Sequence, residues 1–172
     1  TTRAALPALL GMPAVGEGPA KEVVVVTLKA VDRFHDLVVD LFADGGSLEE
    51  AERVVRLRLE REERRHGPES AEVARCWGSL GGVLKDGGEY DRALECYRKA
   101  LAIREKRVGP EDVSLANLYM NMGIVFEKQG DHDQALVYWA KALAIYLKAL
   151  GPEHPSVGMT YNNMAIVFKN QG

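Results

Sequence analysis

The chain has 172 residues, with 22 Lys and Arg against 25 Asp and Glu, a formal net charge of −3 and 47% apolar side chains. That mixture can build a packed core, and it excludes a disordered polyampholyte, a collagen-like chain and a membrane-embedded one. There is no basic excess to displace counterions from phosphates, so nucleic acid is not an expected partner, and two cysteines, Cys76 and Cys96, are too few for a disulfide framework.

Residues 1–21 are rich in Ala, Pro and Gly, carry a single Arg before Lys21 and have no long apolar run. They read as a flexible leader or linker rather than a signal peptide. The apolar run Val23 to Val26 is too short to span a bilayer, which takes roughly 20 residues. No membrane association is expected, and the absence of a signal peptide and of a disulfide framework points to an intracellular, cytoplasmic location. The sequence starts at Thr1 and stops at Gly172 inside a pattern that reads as unfinished, so a fragment of a longer protein is expected.

A first helix is expected over 22–47. Ser47 is then placed to cap a second helix, and Glu50 three residues later completes a capping box. That second helix carries the stretch Glu49–Arg65, where acids alternate with arginines. The pattern suits a solvated face with i,i+4 pairs. A loop, HGPES, follows at 66–70. Over Ser70–Asp86, Val73, Trp77, Leu80, Gly81 and Leu84 fall at three- and four-residue steps, one apolar face of a helix. Gly87 and Gly88 break it. Tyr90, Ala93, Leu94, Tyr97, Ala100 and Leu101 mark another helix, expected to run to about Arg107 and to end at Gly109-Pro110. The same reading gives helices over Asp112–Lys128, Asp131–Leu150 and Pro155–Asn170.

These elements repeat. Gly67, Gly109 and Gly151 open three similar loops at a period of 42 residues. Gly46, Gly88, Gly130 and Gly172 keep the same period, as do Ala51, Ala93 and Ala135, and Leu59, Leu101 and Leu143. Several markers in one register mean an array of structural units. Gly81, Ala93 and Ala100 lie where two antiparallel helices would cross, and anything larger than methyl there would push the axes apart. Tyr119, Met122, Gly123, Phe126, Ala135, Trp139 and Ala142 repeat the logic. Tyr161, Met164, Ala165 and Phe168 begin it once more.

Trp77, Leu80, Gly81, Ala93, Tyr97 and Ala100 resemble the tetratricopeptide repeat pattern at that family's spacing. Leu84 stands where an aromatic is usual. The common unit of the family has about 34 residues. A unit of 42 ending in GPEHPSV, with YNNMA and NQG following, resembles the kinesin-light-chain type. The extra residues are expected to lengthen the second helix and its loop. The resemblance implies an all-α, right-handed α-solenoid of about seven helices. A degenerate first pair at 22–66, with His35 and Val39 in place of the aromatic and the glycine, precedes units at 67–108 and 109–150, and 151–172 supplies the first helix of a fourth.

The resemblance also implies that first helices line a concave groove. By spacing, its lining would include Arg75, Ser79, Gly82, Lys85 and Asp86, then Asn117, Met120, Asn121, Ile124 and Lys128, then Asn162, Asn163, Ile166, Lys169 and Asn170. Ser79, Asn121 and Asn163 keep the 42-residue period and form a polar ladder. Amides donate and accept, which suits an extended peptide backbone; the plainer role for these side chains is to solvate the groove. The clamp that some tetratricopeptide domains close on a chaperone's C-terminal carboxylate needs a Lys and an Asn one turn apart, where this chain has Gly78 and Gly82.

Catalysis has little to work with. His35, His66, His132 and His154 share no helical face with one another or with Cys at metal-ligand steps, and no zinc, P-loop or nucleophile-elbow motif occurs. Gly78, Gly81 and Gly82 lie within a helix, so packing explains them better than phosphate binding. No enzyme, cofactor or metal is expected, and Cys76 and Cys96 read as buried reduced thiols. The leading expectation is an interaction scaffold that binds a partner's peptide segment in the groove, with a kinesin-light-chain-like adaptor as the nearest kind implied by the resemblance. The alternative is a structural or self-assembling array that oligomerises through Tyr161, Ala165 and Phe168 at an unpaired C-terminal helix.

Overall fold

A computed structural model of the chain describes residues 47–171. The leader, most of the first expected helix pair (with His35 and Val39) and Gly172 lie outside the described residues. The chain divides into two compact units, Thr1–Val54 and Val55–Gly172. The packing that follows is that of the second.

Six helices follow one another: α1 (Leu48–His66), α2 (Ala71–Asp86), α3 (Tyr90–Glu105), α4 (Val113–Lys128), α5 (His132–Leu150) and α6 (Pro155–Gln171). The described residues contain no strand. Local chemistry sets the helix starts. Ser47 Oγ accepts from Glu50 N–H at 3.2 Å, which supplies the Ser half of the expected capping box. Ser70 Oγ accepts from Val73 N–H at 3.2 Å, and Asp131 Oδ1 from Gln134 N–H at 3.1 Å. Asp112 Oδ1 accepts from Ser114 N–H at 2.8 Å. Each satisfies an amide that the first turn leaves without an intrahelical partner. Gly88 and Gly130, both with φ +80°, turn the chain from the first helix of a pair into the second. A side chain is strained in that left-handed conformation.

One end differs from expectation. Helix α3 stops at Glu105, not Arg107, and the Arg107 and Val108 amides both turn back to the Arg104 carbonyl at 2.8 and 2.9 Å. Gly109 does not adopt positive φ, whereas Gly67 and Gly151 do. The tight turn closes α3 before its glycine is reached. The extra length of the 42-residue unit therefore goes into a loop after α3, but into helix in the 19-residue α5.

Helices α2 and α3 pack as one pair and α4 and α5 as another; α3 packs on α4, and α6 packs on α5. In each pair a ring on the second helix lies against the backbone of the first. A Cβ at Gly81 would stand 2.7 Å from the Tyr97 ring, and one at Gly123 would stand 2.4 Å from Trp139 Nε1. The alanines beside these contacts, Ala93, Ala100, Ala135 and Ala142, are fully buried. Trp139 Nε1–H donates to the Met120 carbonyl at 3.2 Å, so its one polar atom is satisfied in the core. Successive units join through Leu59, Val73 and Cys76 at the α1–α2 contact. Val157 and Val167 of α6 join the core formed by Leu115, Trp139 and Tyr146.

The two kinds of glycine in these helices should respond oppositely to a methyl group. Gly123→Ala forces its methyl into an immobile ring, and urea unfolding should show a loss of about 1–3 kcal/mol. Gly158, in α6, has nothing within 4 Å of its would-be Cβ. Gly158→Ala should leave stability unchanged or raise it by up to about 1 kcal/mol through helix propensity.

Hydrogen bonds from the Ser114 hydroxyl and amide hold the Asp112 carboxyl below its ordinary pKa, with a lesser contribution from Arg104. A carboxyl lowered by folding stabilises above its unfolded pKa and loses that contribution as pH falls through the folded one. Asp112→Ala should therefore cost about 0.5–2 kcal/mol at neutral pH, and the gap from wild type should close in acid melts.

Candidate peptide-binding surface

The expected groove residues fall on the first helices of the units. Ser79, Asn121 and Asn163 occupy matching places on α2, α4 and α6, and all three are half-buried. Half-burial leaves a short polar side chain rigidly based and still reachable. The flanking residues differ from unit to unit. Arg75 is exposed and lies 4.0 Å from Glu72. Lys85 Nζ is 3.0 Å from Asp86 Oδ1, and Lys128 Nζ is 4.0 Å from Glu127 Oε2. Asn162 and Lys169 are exposed. Asn117 Oδ1 accepts from the Tyr146 hydroxyl at 2.6 Å, so part of that amide is already engaged.

Met120 departs from expectation. It is buried in the core, with its Sδ 3.7 Å from Thr160 Oγ1, whose hydroxyl donates to the Ser156 carbonyl at 2.7 Å. Contact between α4 and α6 takes this side chain out of the groove. At the C-terminal end, Tyr161 is 52% exposed and Phe168 57%, and Ala165 is exposed as well.

Three kinds of contact were missed in the sequence. Lys99 Nζ stands 4.3 Å from the centroid of the Trp77 ring, and Lys141 Nζ stands 5.6 and 5.0 Å from those of Tyr119 and Tyr138. Tyr138 also stacks on Phe126 with centroids 5.2 Å apart. Lys106 pairs with Glu69, and Lys148 with Glu111, clipping the end of each second helix to the loop that opens its unit. Lys99 and Lys141 keep the 42-residue period, as do both ion pairs. That period was the available signal.

For chemistry, the described residues bring no three His, Cys, Asp or Glu together as a metal cluster. Burial pushes the Tyr97 hydroxyl far up, so it stays protonated. No described helix is long and apolar enough to cross a membrane.

The tetratricopeptide repeat pattern matches residues 36–106 and 114–172, more than half of the chain. The chain belongs to the tetratricopeptide repeat family. This tetratricopeptide protein is similar in fold to BtubC (BKLC) from P. vanneervenii, at 22% identity and TM-score 0.72, over 99% of this chain and 63% of that one. It is also similar to a Podosopora anserina putative kinesin light chain of nearly identical TPR-like repeats, at 19% identity and TM-score 0.73, over 83% and 67% of the two chains. A single-substitution form of the latter gives 19% and 0.70, over 81% and 66%. The chain thus spans less than two thirds of BtubC. No curated protein matches it. The all-α, kinesin-light-chain-like repeat fold is that of a scaffold, and tetratricopeptide repeats generally mediate protein–protein interaction and are generally non-catalytic.

Cys76 and Cys96 are both unpaired and buried, and burial raises both thiols above their ordinary pKa. The thiolate is the reactive form. Both cysteines should therefore resist a disulfide-exchange reagent at neutral pH and react stoichiometrically in denaturant. Rapid labelling of the folded chain would contradict this burial.

Proposed function

We propose that this tetratricopeptide protein binds an extended peptide segment of a partner along the groove faces of α2, α4 and α6, as a kinesin-light-chain-like adaptor. The observation that carries the reading is the ladder of Ser79, Asn121 and Asn163, each half-buried at the same place on a first helix. A hydroxyl and two amides both donate and accept, so they can pair with a peptide backbone whatever its side chains. Arg75, Lys85, Asn117, Lys128, Asn162 and Lys169 stand around the ladder and differ from unit to unit. They are the residues that select the peptide. The working units are 67–108 and 109–150, with 22–66 before them and 151–172 after. Two buried, unpaired thiols suit a reducing compartment, and the cytoplasm is the proposed location.

The test is selection of peptides from a displayed random library on the wild-type chain, followed by affinity measurement on Asn121→Ala/Asn163→Ala. The selected peptides should bind the double variant at least about tenfold more weakly, with its melting temperature unchanged. Equal affinity would remove the groove reading.

A further inference from the structure

Two matching places in the α2–α3 and α4–α5 pairs are filled in opposite ways. In the later pair, the Tyr146 hydroxyl donates to Asn117 Oδ1 at 2.6 Å, a neutral bond in which one side gives and the other accepts. One period earlier the same places hold Arg104 and Arg75. A guanidinium only donates, so these two cannot satisfy each other. Arg104 is half-buried, and its Nε–H is buried with no hydrogen-bond partner among the described residues. An unpaired buried donor is costly. Burial lowers the Arg104 guanidinium below its ordinary pKa, Asp112 raises it, and the like charge of Arg75 lowers it again. Asp112 Oδ1 accepts from Ser114 N–H at 2.8 Å, and its carboxylate leaves Arg104 Nε unpaired. Arg75 is exposed at its groove position, with Glu72 only at the 4.0 Å limit of an ion pair. Gly78, one turn further along α2, leaves the approach bare, since a Cβ there would meet nothing nearer on another helix than Leu118 Cδ2 at 3.7 Å.

We infer that Arg75 and Arg104 form an anion-binding site at the α2–α3 stretch of the groove, and that its ligand is a phosphomonoester on a side chain of the bound peptide. The inference rests on the groove reading for the peptide and adds the chemical group that one unit selects. A phosphomonoester carries a charge of about −1.5 to −2 at neutral pH and three terminal oxygens. It can therefore neutralise two guanidiniums and accept from both of their forks. A carboxylate brings one charge and two oxygens, and Asp112 already shows that one nearby carboxylate does not pair the buried N–H. The α4–α5 pair cannot take the same ligand, because its two groups are spent on each other. One phosphate is bound per chain, at the unit where the repeat carries two donors.

The probe is an oriented peptide library with a fixed central phosphoserine, selected on the wild-type chain. Each selected peptide is remade with Ser and with Glu at that position, and affinities are read by fluorescence anisotropy. The phosphorylated peptides should bind at least about tenfold more tightly than either twin. Arg75→Asn/Arg104→Tyr writes the Asn117–Tyr146 pair into the earlier unit, so its melting temperature should be unchanged or higher. It should abolish the preference for phosphate and keep the affinity of the Ser twin. Arg75→Gln alone, a change at an exposed position, should already lower that preference. Asn121→Ala/Asn163→Ala should weaken all three peptides by the same factor; if it weakens none while the phosphate preference stands, the ladder reading falls and this site survives. O-phosphoserine alone needs no peptide: compared with serine at matched ionic strength, it should raise the melting temperature of the wild type and not of Arg75→Asn/Arg104→Tyr. If no peptide is selected, that shift keeps the site and removes the groove reading, and its absence removes the site. Equal affinity for the phosphorylated and Ser twins, a Glu twin as tight as the phosphorylated one, or a phosphate preference surviving Arg75→Asn/Arg104→Tyr would each overturn the inference.

Discussion

The structure depends on a missing atom at two places. At Gly81 and Gly123 the first helix of a pair offers bare backbone, and an aromatic ring from the second helix lies where a Cβ would be. That contact sets how near the two axes come. The nearness in turn demands Ala93 and Ala100, or Ala135 and Ala142, on the second helix, since larger side chains would hold the helices apart. Once the axes are close, the leading aromatics Trp77 and Tyr119 fall within reach of Lys99 and Lys141. The ion pairs between loop and helix end are exposed, and such pairs contribute roughly 0.2–1 kcal/mol each. Their value lies in fixing where each loop sits against its helix. The ring-on-glycine contact supplies the packing energy.

A stack held by such contacts is stabilised between nearest neighbours. Each pair covers a face of the one before it and presents a new face to the one after. Helix α6 illustrates both halves of that arrangement. Val157, Thr160 and Val167 are buried against the preceding pair, while Met159, Tyr161, Ile166 and Phe168 on the same helix remain exposed. The residue that fills the glycine place there is Ala165. The last described face therefore has the periodic outline of the earlier ones and a changed centre.

What could be read from the sequence follows from the period. Glycine turns, buried alanines and apolar faces recur because every unit solves one local packing problem, and each marker reinforces the others. Side-chain events that break the period were harder to see. Nothing in the spacing shows that the turn after Arg104 closes α3 early, because Gly109 keeps its place in the register while its conformation changes. Met120 stands at a groove position by count, but its side chain is buried, with Sδ 3.7 Å from Thr160 Oγ1 of the following unit. Asn117 is engaged by Tyr146, whereas the matching places one unit earlier hold Arg75 and Arg104, so no repeated signal marks that bond. The lysine–ring contacts were legible in principle, since they repeat. They were missed because charged residues on a helix are first read as a solvated surface.

The same contrast bears on how a partner is chosen. The fold is shared with proteins only 19–22% identical. Fold similarity therefore transmits the scaffold and not the ligand. Within this chain, the positions that keep the period along the first helices, Ser79, Asn121 and Asn163, carry groups suited to any peptide backbone. The positions that break it run Arg75, Asn117 and Met159, and Lys85, Glu127 and Lys169. At the first place a cation gives way to an amide and then a thioether, and at the second the charge alternates in sign from unit to unit. On the proposed reading, the ladder supplies affinity that is indifferent to sequence. Discrimination arises only where the repeat departs from itself.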